Sequence, residues 1–255
     1  MKSLTKLCFI YAVLVGISAE GLGDDSLPIG SSFVNITNVF ATGYYCVYDS
    51  ELAGSQTVTK TISNNTYTLK ASFLFGGHGV VMQGTGKTFP NGDYIKYTGS
   101  GGCFVHVAGP NAGTNLEGRW VIAPQILRDR YARLGITDFT GFGNLAISYP
   151  GRATFSRTTS VAGSSGQTLT PWLSISVDPS LIPLGQTCKL SFKNSTAKAS
   201  GVKYSTFRAD DIGGSIKGKH IEIYLGEGRT AYDEWNRTGG NRIVSLTVAA
   251  QSQHR

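Results

Sequence analysis

Four acidic residues and one histidine fall within residues 207–227, FRADDIGGSIKGKHIEIYLGE. Asp210 and Asp211 are adjacent, Gly213 and Gly214 supply a turn, and the run His220-Ile221-Glu222-Ile223-Tyr224-Leu225 alternates polar with apolar. In an extended strand, successive side chains leave opposite faces. Ile221, Ile223 and Leu225 then share a face that asks for a core, while His220, Glu222 and Tyr224 share the other. An acid, an imidazole and a phenol beside a glycine turn bearing two more acids suit proton transfer. The same pattern fits an amphipathic edge strand with solvated polar residues. Within this run Asp210 reads as solvated and Lys217 as a turn residue.

The rest of the chain must position this run, and its elements read as short strands. Residues 33–40 predict a first strand that continues into Ala41-Thr42-Gly43-Tyr44-Tyr45-Cys46, with Gly43 breaking it. One of a tandem tyrosine pair faces a core, which leaves Tyr44 or Tyr45 for a groove. Thr42 could bind a sugar or cap a strand end. Asn64-Asn65 is turn chemistry before an alternating run at 67–73, and residues 80–86 read as a strand ending in the glycine-flanked Thr85. Pro90-Asn91-Gly92-Asp93 marks a hairpin turn before a strand at 94–97. The pattern Leu127, Tyr131, Leu134 predicts one helix over 124–135, with Gly135 as its terminator. Residues 141–166 are rich in Gly, Ser and Thr and read as loop or weak strand. Strands follow at 171–179, 187–192 and 242–248, with a short helix at 231–236. Many short strands with long connections argue for an all-β closed barrel rather than a parallel α/β sheet.

Composition agrees, since glycine is abundant at 33 of 255 residues and only 15% of residues are charged. Residues 1–19 read as a secretory signal peptide: Lys2 and Lys6 precede an apolar run that ends at the small residue Ala19. Residues 20–32 read as a linker. The apolar run is short for a membrane span and no later segment could serve as one, so a secreted protein is expected. Cys46, Cys103 and Cys188 remain; in an oxidising compartment two of them are expected to pair. Neither their spacing nor the scattered histidines fit a metal centre. The net charge of +7, two of it from Lys2 and Lys6, favours anionic polymers such as bacterial wall, or simply solubility. No basic cluster interleaved with aromatics points to nucleic acid. Sequons at Asn35, Asn64, Asn194 and Asn236 would be glycosylated in a eukaryotic secretory pathway.

Four ordered motifs carry a family resemblance. SVDPSLIPLG (176–185) and ADDIGGSIKGKHIEIY (209–224), together with ATGYY (41–45) and MQGTG (82–86), resemble the three-aspartate (3D) domain of membrane-bound lytic transglycosylase A and of secreted wall-remodelling proteins. The resemblance implies a double-psi β-barrel over 33–250. It also implies a reduced insertion at about 104–170, where the larger enzyme's second domain would shrink to loops. Carried over by position, its acidic trio falls on Asp178, Asp211 and Glu222. The family has aspartate at the third position, taken as its sole general acid/base. Glutamate keeps the acid on an arm one methylene longer, and about 1 Å of misplacement costs on the order of a hundredfold in rate.

The resemblance further implies cleavage of a β-1,4 glycan such as peptidoglycan by a monomer that needs no cofactor. Glu222, with Asp211 and Asp178 in support, would do the chemistry. Thr42, Tyr44, Gln83, Thr85, Lys217 and His220 would line the groove, Gln83 and Thr85 because the matching segment borders the family's cleft. Two other readings stay open at this point. One is a non-catalytic wall-binding or wall-loosening protein of the expansin-like kind; the other is a hydrolase acting on a chitin-like substrate.

Overall fold

A computed structural model of the chain describes residues 33–192, 206–237 and 240–249. The signal-like segment 1–19, the linker 20–32 and the sequon at Asn194 lie outside the described residues. In chain order the first strands are β1 (Phe33–Tyr48), β2 (Thr57–Ile62) and β3 (Asn65–Lys70), followed by the short helices α1 (Ala71–Phe75) and α2 (Val80–Gln83). Then come β4 (Thr85–Lys87), β5 (Tyr94–Gly99), β6 (Phe104–His106), α3 (Pro124–Ala132), β7 (Leu145–Ile147) and β8 (Thr154–Thr158). The last elements are β9 (Ser174–Ser176), β10 (Thr187–Phe192), β11 (Thr206–Asp211), β12 (His220–Glu227), α4 (Arg229–Arg237) and β13 (Arg242–Ala249).

These elements fall into two compact units. One comprises residues 46–161 and 227–229; the other comprises the described parts of 33–45, 162–226 and 230–249. In the second unit the hydrogen-bonded order is β12-β9-β11-β10-β13-β1, and β12 also pairs with β1, so six strands close into a barrel. Closure leaves no strand edge unpaired. The all-β closed barrel expected from the sequence is the fold found. β9 and β11 run parallel, and β12 pairs with β9 antiparallel. The alternation read in residues 220–225 holds as far as Ile223: Ile221, Ile223 and Leu225 are buried, as are Ile175, Phe207 and Ala209 on the neighbouring strands, while Tyr224 on the opposite face is buried as well.

The other unit contains the β2–β3 hairpin, in which Ile62 faces Asn65 across a two-residue turn. Its turn residues Ser63 and Asn64 both have positive φ, as a type I′ turn requires. The β4–β5 hairpin and the pairing of β5 with β8 complete this unit's main sheet, and β6 pairs with β7.

Several expectations need correction. Residues 80–86 are one turn of helix, α2, followed by β4. A short apolar run does not distinguish strand from buried helix by periodicity, and Gly84 at φ 82° ends the turn. The strand predicted at 67–73 stops at Lys70, because residues 71–75 are buried on every side and form α1. Residues 141–166, read as loop or weak strand, are mostly loop with the short strands β7 and β8, in keeping with that reading. No disulfide links Cys46, Cys103 and Cys188; all three are buried free thiols. Burial pushes the Cys188 thiol up to about 12, leaving it a neutral core group. Trp235 is buried, with its ring 6.0 Å from that of Trp172 and the Arg242 guanidinium 4.3 Å above it, so it anchors the barrel.

Gly43 does not break β1, which runs through it unbroken. The irregularity lies earlier, where the register with β13 shifts between Ile36 and Val39 and Asn38 takes φ 58°. Gly43 is needed for space: a Cβ there would lie 2.7 Å from Leu225 Cδ1 and 3.2 Å from Trp235 Cδ1. Gly43→Ala is therefore expected to destabilise the protein by about 1–3 kcal/mol through overpacking, measured by chemical denaturation.

Candidate active site

Strand register assembles the site. In the β11–β9 pair Asp211 faces Ser176, and in the β12–β9 pair Glu222 faces the same Ser176. Cross-strand partners project from one face of a sheet, so the two carboxylates flank a serine. β1, the other neighbour of β12, brings in Thr42. Thr42 Oγ1 lies 3.2 Å from Glu222 Oε1, 2.9 Å from His220 Nε2 and 3.3 Å from the Ile221 carbonyl oxygen. Its single proton serves one acceptor at a time. Two residues on, the Tyr44 hydroxyl donates to Asp211 Oδ2 at 3.3 Å, and its ring centroid is 5.4 Å from that of Tyr224. Ser164 donates to Asp211 Oδ1 through both its N–H and its hydroxyl, each at 2.8 Å.

Five residues singled out by sequence thus meet: Glu222, Asp211, Thr42, Tyr44 and His220. Asp178 is used differently. Its carboxylate accepts from the N–H and hydroxyl of Ser180 at 3.0 and 2.7 Å and from the Gly218 N–H at 2.7 Å, stapling two turns together. Lys217 lies in the second of those turns and is partly exposed. Gln83, at the end of α2, and Thr85, at the start of β4, belong to the unit formed by 46–161 and 227–229. Thr85 is buried there. Asp210 is not solvated: it is wholly buried, paired with Arg208 Nε at 2.6 Å and accepting from the Ser174 hydroxyl. Sequence reasoning missed Ser164 and Ser176. Ser164 lies in a Gly/Ser-rich loop that no local pattern ties to an acid, and Ser176 gains meaning only from register.

The electrostatics follow from these contacts. Burial pushes the Glu222 carboxyl up to about 7; the Asp211 charge adds to the rise and the Thr42 hydroxyl opposes it. Burial first, then the Asp211 and Glu222 charges, raise the Tyr44 phenol well above its ordinary value, so it acts as a neutral donor. Burial lowers His220, against a hydrogen bond with the Ser215 backbone, and favours the neutral imidazole. The Gly218 N–H, followed by the Ser180 hydroxyl and N–H, holds Asp178 below its ordinary value. Glu222 is thus close to half-protonated at neutral pH, where one group can give a proton and take one back.

Thr42 is only 2% exposed, so its hydroxyl serves Glu222 and His220 rather than a ligand. Thr42→Val keeps the shape and removes the hydrogen bond that favours the Glu222 carboxylate. The Glu222 carboxyl is expected to titrate about one pH unit higher in that variant, read by NMR of a 13C-labelled carboxyl.

Among the described residues, no group of three or more His, Cys, Asp or Glu is placed to hold a metal ion. No described helix is long and apolar enough to cross a membrane.

Residues 173–246 match the 3D domain family, and that stretch contains Asp178, Asp211 and Glu222. Solved structures with a similar fold include Escherichia coli MltA with bound chitohexaose, at 20% identity and TM-score 0.51 over 85% of this chain and 72% of that chain. The membrane-bound lytic murein transglycosylase from Agrobacterium tumefaciens is similar at 15% identity and TM-score 0.51, over 86% of this chain and 75% of that chain. No curated protein matches the chain. The domain match covers the two later motifs, 176–185 and 209–224, and the solved structures show a similar fold.

Proposed function

We propose that this chain, with its 3D domain on an MltA-like fold, is a secreted lytic transglycosylase that cleaves β-1,4 glycosidic bonds of peptidoglycan, with Glu222 as its single general acid/base. The observation that carries this reading is one carboxylic acid, poised at about 7, held on a barrel strand beside a second carboxylate. Glu222 protonates the glycosidic oxygen as the bond to the muramyl C1 breaks. The resulting carboxylate then takes the proton from the muramyl C6 hydroxyl as that oxygen closes the 1,6-anhydro ring. One acid suffices because the nucleophile belongs to the substrate, whereas ordinary glycosidases need a second carboxylate to attack or to activate water.

Asp211 fits the part of a fixed charge. Its oxygens are engaged by Ser164 and Tyr44, and its field favours the protonated form of Glu222 before the reaction. Asp178 shapes the turn that leads into β12. Lys217 and His220, both partly exposed, remain the candidates for contact with sugar in the barrel unit. The chitohexaose bound to E. coli MltA supports a glycan ligand. The signal-like N-terminus supports secretion, and the exposed Asn35, Asn64 and Asn236 are accessible for glycosylation. Purified peptidoglycan incubated with the protein is expected to release anhydro-muropeptides, identified by mass spectrometry. Products with free reducing ends would instead show hydrolysis, and pelleting with the wall without products would show a binder.

A further inference from the structure

Ser176 is 1% exposed, and its hydroxyl oxygen is buried with no hydrogen-bond partner. A buried hydroxyl left unpaired is costly compared with alanine at the same place, so its retention asks for a use. Its place in the barrel supplies one, because it shares a register position with Asp211 on one side and Glu222 on the other. Cross-strand partners carry Cβ atoms about 4.5–5.5 Å apart, so a turn about one side-chain bond brings the hydroxyl within reach of a neighbouring carboxylate. Gly213 keeps the space over it open: a Cβ there would stand 3.3 Å from Ser176 Oγ and collide with Ile216 Cγ1 at 2.3 Å. Of the two carboxylates, Asp211 already accepts from Ser164 twice and from Tyr44 once. Glu222 accepts only from Thr42, and an ionised carboxylate has room for more.

We infer that Ser176 is a positioning residue for Glu222: its hydroxyl stays unpaired while Glu222 carries its proton, and donates to the Glu222 carboxylate once that proton has left. This rests on Glu222 being the acid of the proposed reaction. In that step the proton passes from the Glu222 carboxyl to the glycosidic oxygen. The carbon–oxygen bond breaks with its electron pair remaining on the leaving oxygen. Ser176 keeps its own proton and gains only a hydrogen bond. Because the bond forms as charge develops on Glu222, it stabilises the transition state more than the ground state. The other groups facing Glu222 are Thr42 and Tyr44 from β1, His220 and Tyr224 on its own strand, and Asp211 from β11. Of these, Thr42 is the one that donates to its carboxyl.

The test compares wild type, Ser176→Ala and Ser176→Thr. The Glu222 carboxyl is titrated by 13C NMR, its resonance identified by its absence in Glu222→Gln, and kcat and KM on peptidoglycan are followed across pH. Ser176→Ala is expected to titrate about one pH unit higher at Glu222, to lose about tenfold in kcat with KM little changed, and to be at least as stable as wild type at about pH 5, where Glu222 is protonated. Ser176→Thr, which keeps a hydroxyl, is expected to restore the titration. An unmoved Glu222 titration overturns the assignment. So does a clear loss of stability in Ser176→Ala at about pH 5, which would mean that the hydroxyl has a partner even while Glu222 is protonated. A wild type that cleaves no glycan while Ser176→Ala still moves the titration would overturn the proposed function and leave the Ser176–Glu222 link standing.

Discussion

Glu222→Gln is expected to reduce glycan cleavage by about 10²–10⁴-fold, the usual contribution of a positioned general acid. It is also expected to leave the barrel at least as stable as before. Glutamine keeps the length and shape of the side chain and an oxygen for the Thr42 hydroxyl, but it cannot deliver a proton. The stability effect has a definite sign. Folding raises the Glu222 carboxyl from 4.5 to about 7, mainly by burial. Between those values the folded state binds more protons than the unfolded state, so wild-type stability falls as pH rises through the window. Glutamine does not ionise and escapes that loss. The variant should match wild type near pH 4 and exceed it at pH 8 by about 1–3 kcal/mol, the figure held down because the residue remains partly exposed. Denaturant melts at pH 4 and pH 8 measure the difference, and release of anhydro-muropeptides measures the activity. Undiminished cleavage by the variant would remove Glu222 from the mechanism.

Residues 207–227 show how far the sequence could be read. Alternation alone placed Ile221, Ile223 and Leu225 in a core and Glu222 beside His220 on the other face, because period two is a local property of an extended strand. The neighbours of that face were another matter. Thr42 lies 180 residues from Glu222 in sequence, and only the β1–β12 pairing that closes the barrel brings its hydroxyl to the acid. Ser176 is invisible for the same reason, since its meaning depends on two registers at once. Gly43 was legible as a special position but not in its purpose: a missing side chain can mean a bend or a close approach, and here Leu225 and Trp235 fill the space. The run at 80–86 failed on its shortness, because one helical turn of buried apolar residues has the composition of a buried strand.

The adjacent acids Asp210 and Asp211 also separate only in the structure, and they make the strongest stability prediction. The register between β11 and β9 shifts between Ala209 and Asp211, which leaves Asp210 as the extra residue of a bulge. Asp211 turns to Tyr44 and Ser164. Asp210 turns inward, fully enclosed, with Arg208 Nε at 2.6 Å and the Ser174 hydroxyl at 2.5 Å. The pair is unequal, because the Arg208 side chain is 36% exposed and the Asp210 side chain 0%. Deleting the acid leaves a guanidinium that can still reach water. Deleting the arginine strands a carboxylate with a single hydroxyl for company. Arg208→Ala is therefore expected to cost about 3–5 kcal/mol, and Asp210→Ala less. Replacing both by leucine should recover much of that loss, as expected for an ion pair whose desolvation offsets most of its attraction. The backbone of the same residue bears on the site at one remove. The Asp210 carbonyl accepts the Ser165 N–H at 2.9 Å, next to the serine that holds Asp211. Arg208→Ala should accordingly lower glycan cleavage as well as stability if the strained carboxylate shifts the Asp210 backbone, and the double leucine variant, which keeps that carbonyl, should recover both together. Urea denaturation of the three variants decides the ordering. A cost below about 1 kcal/mol for Arg208→Ala would show that the Asp210 carboxylate does not depend on the guanidinium.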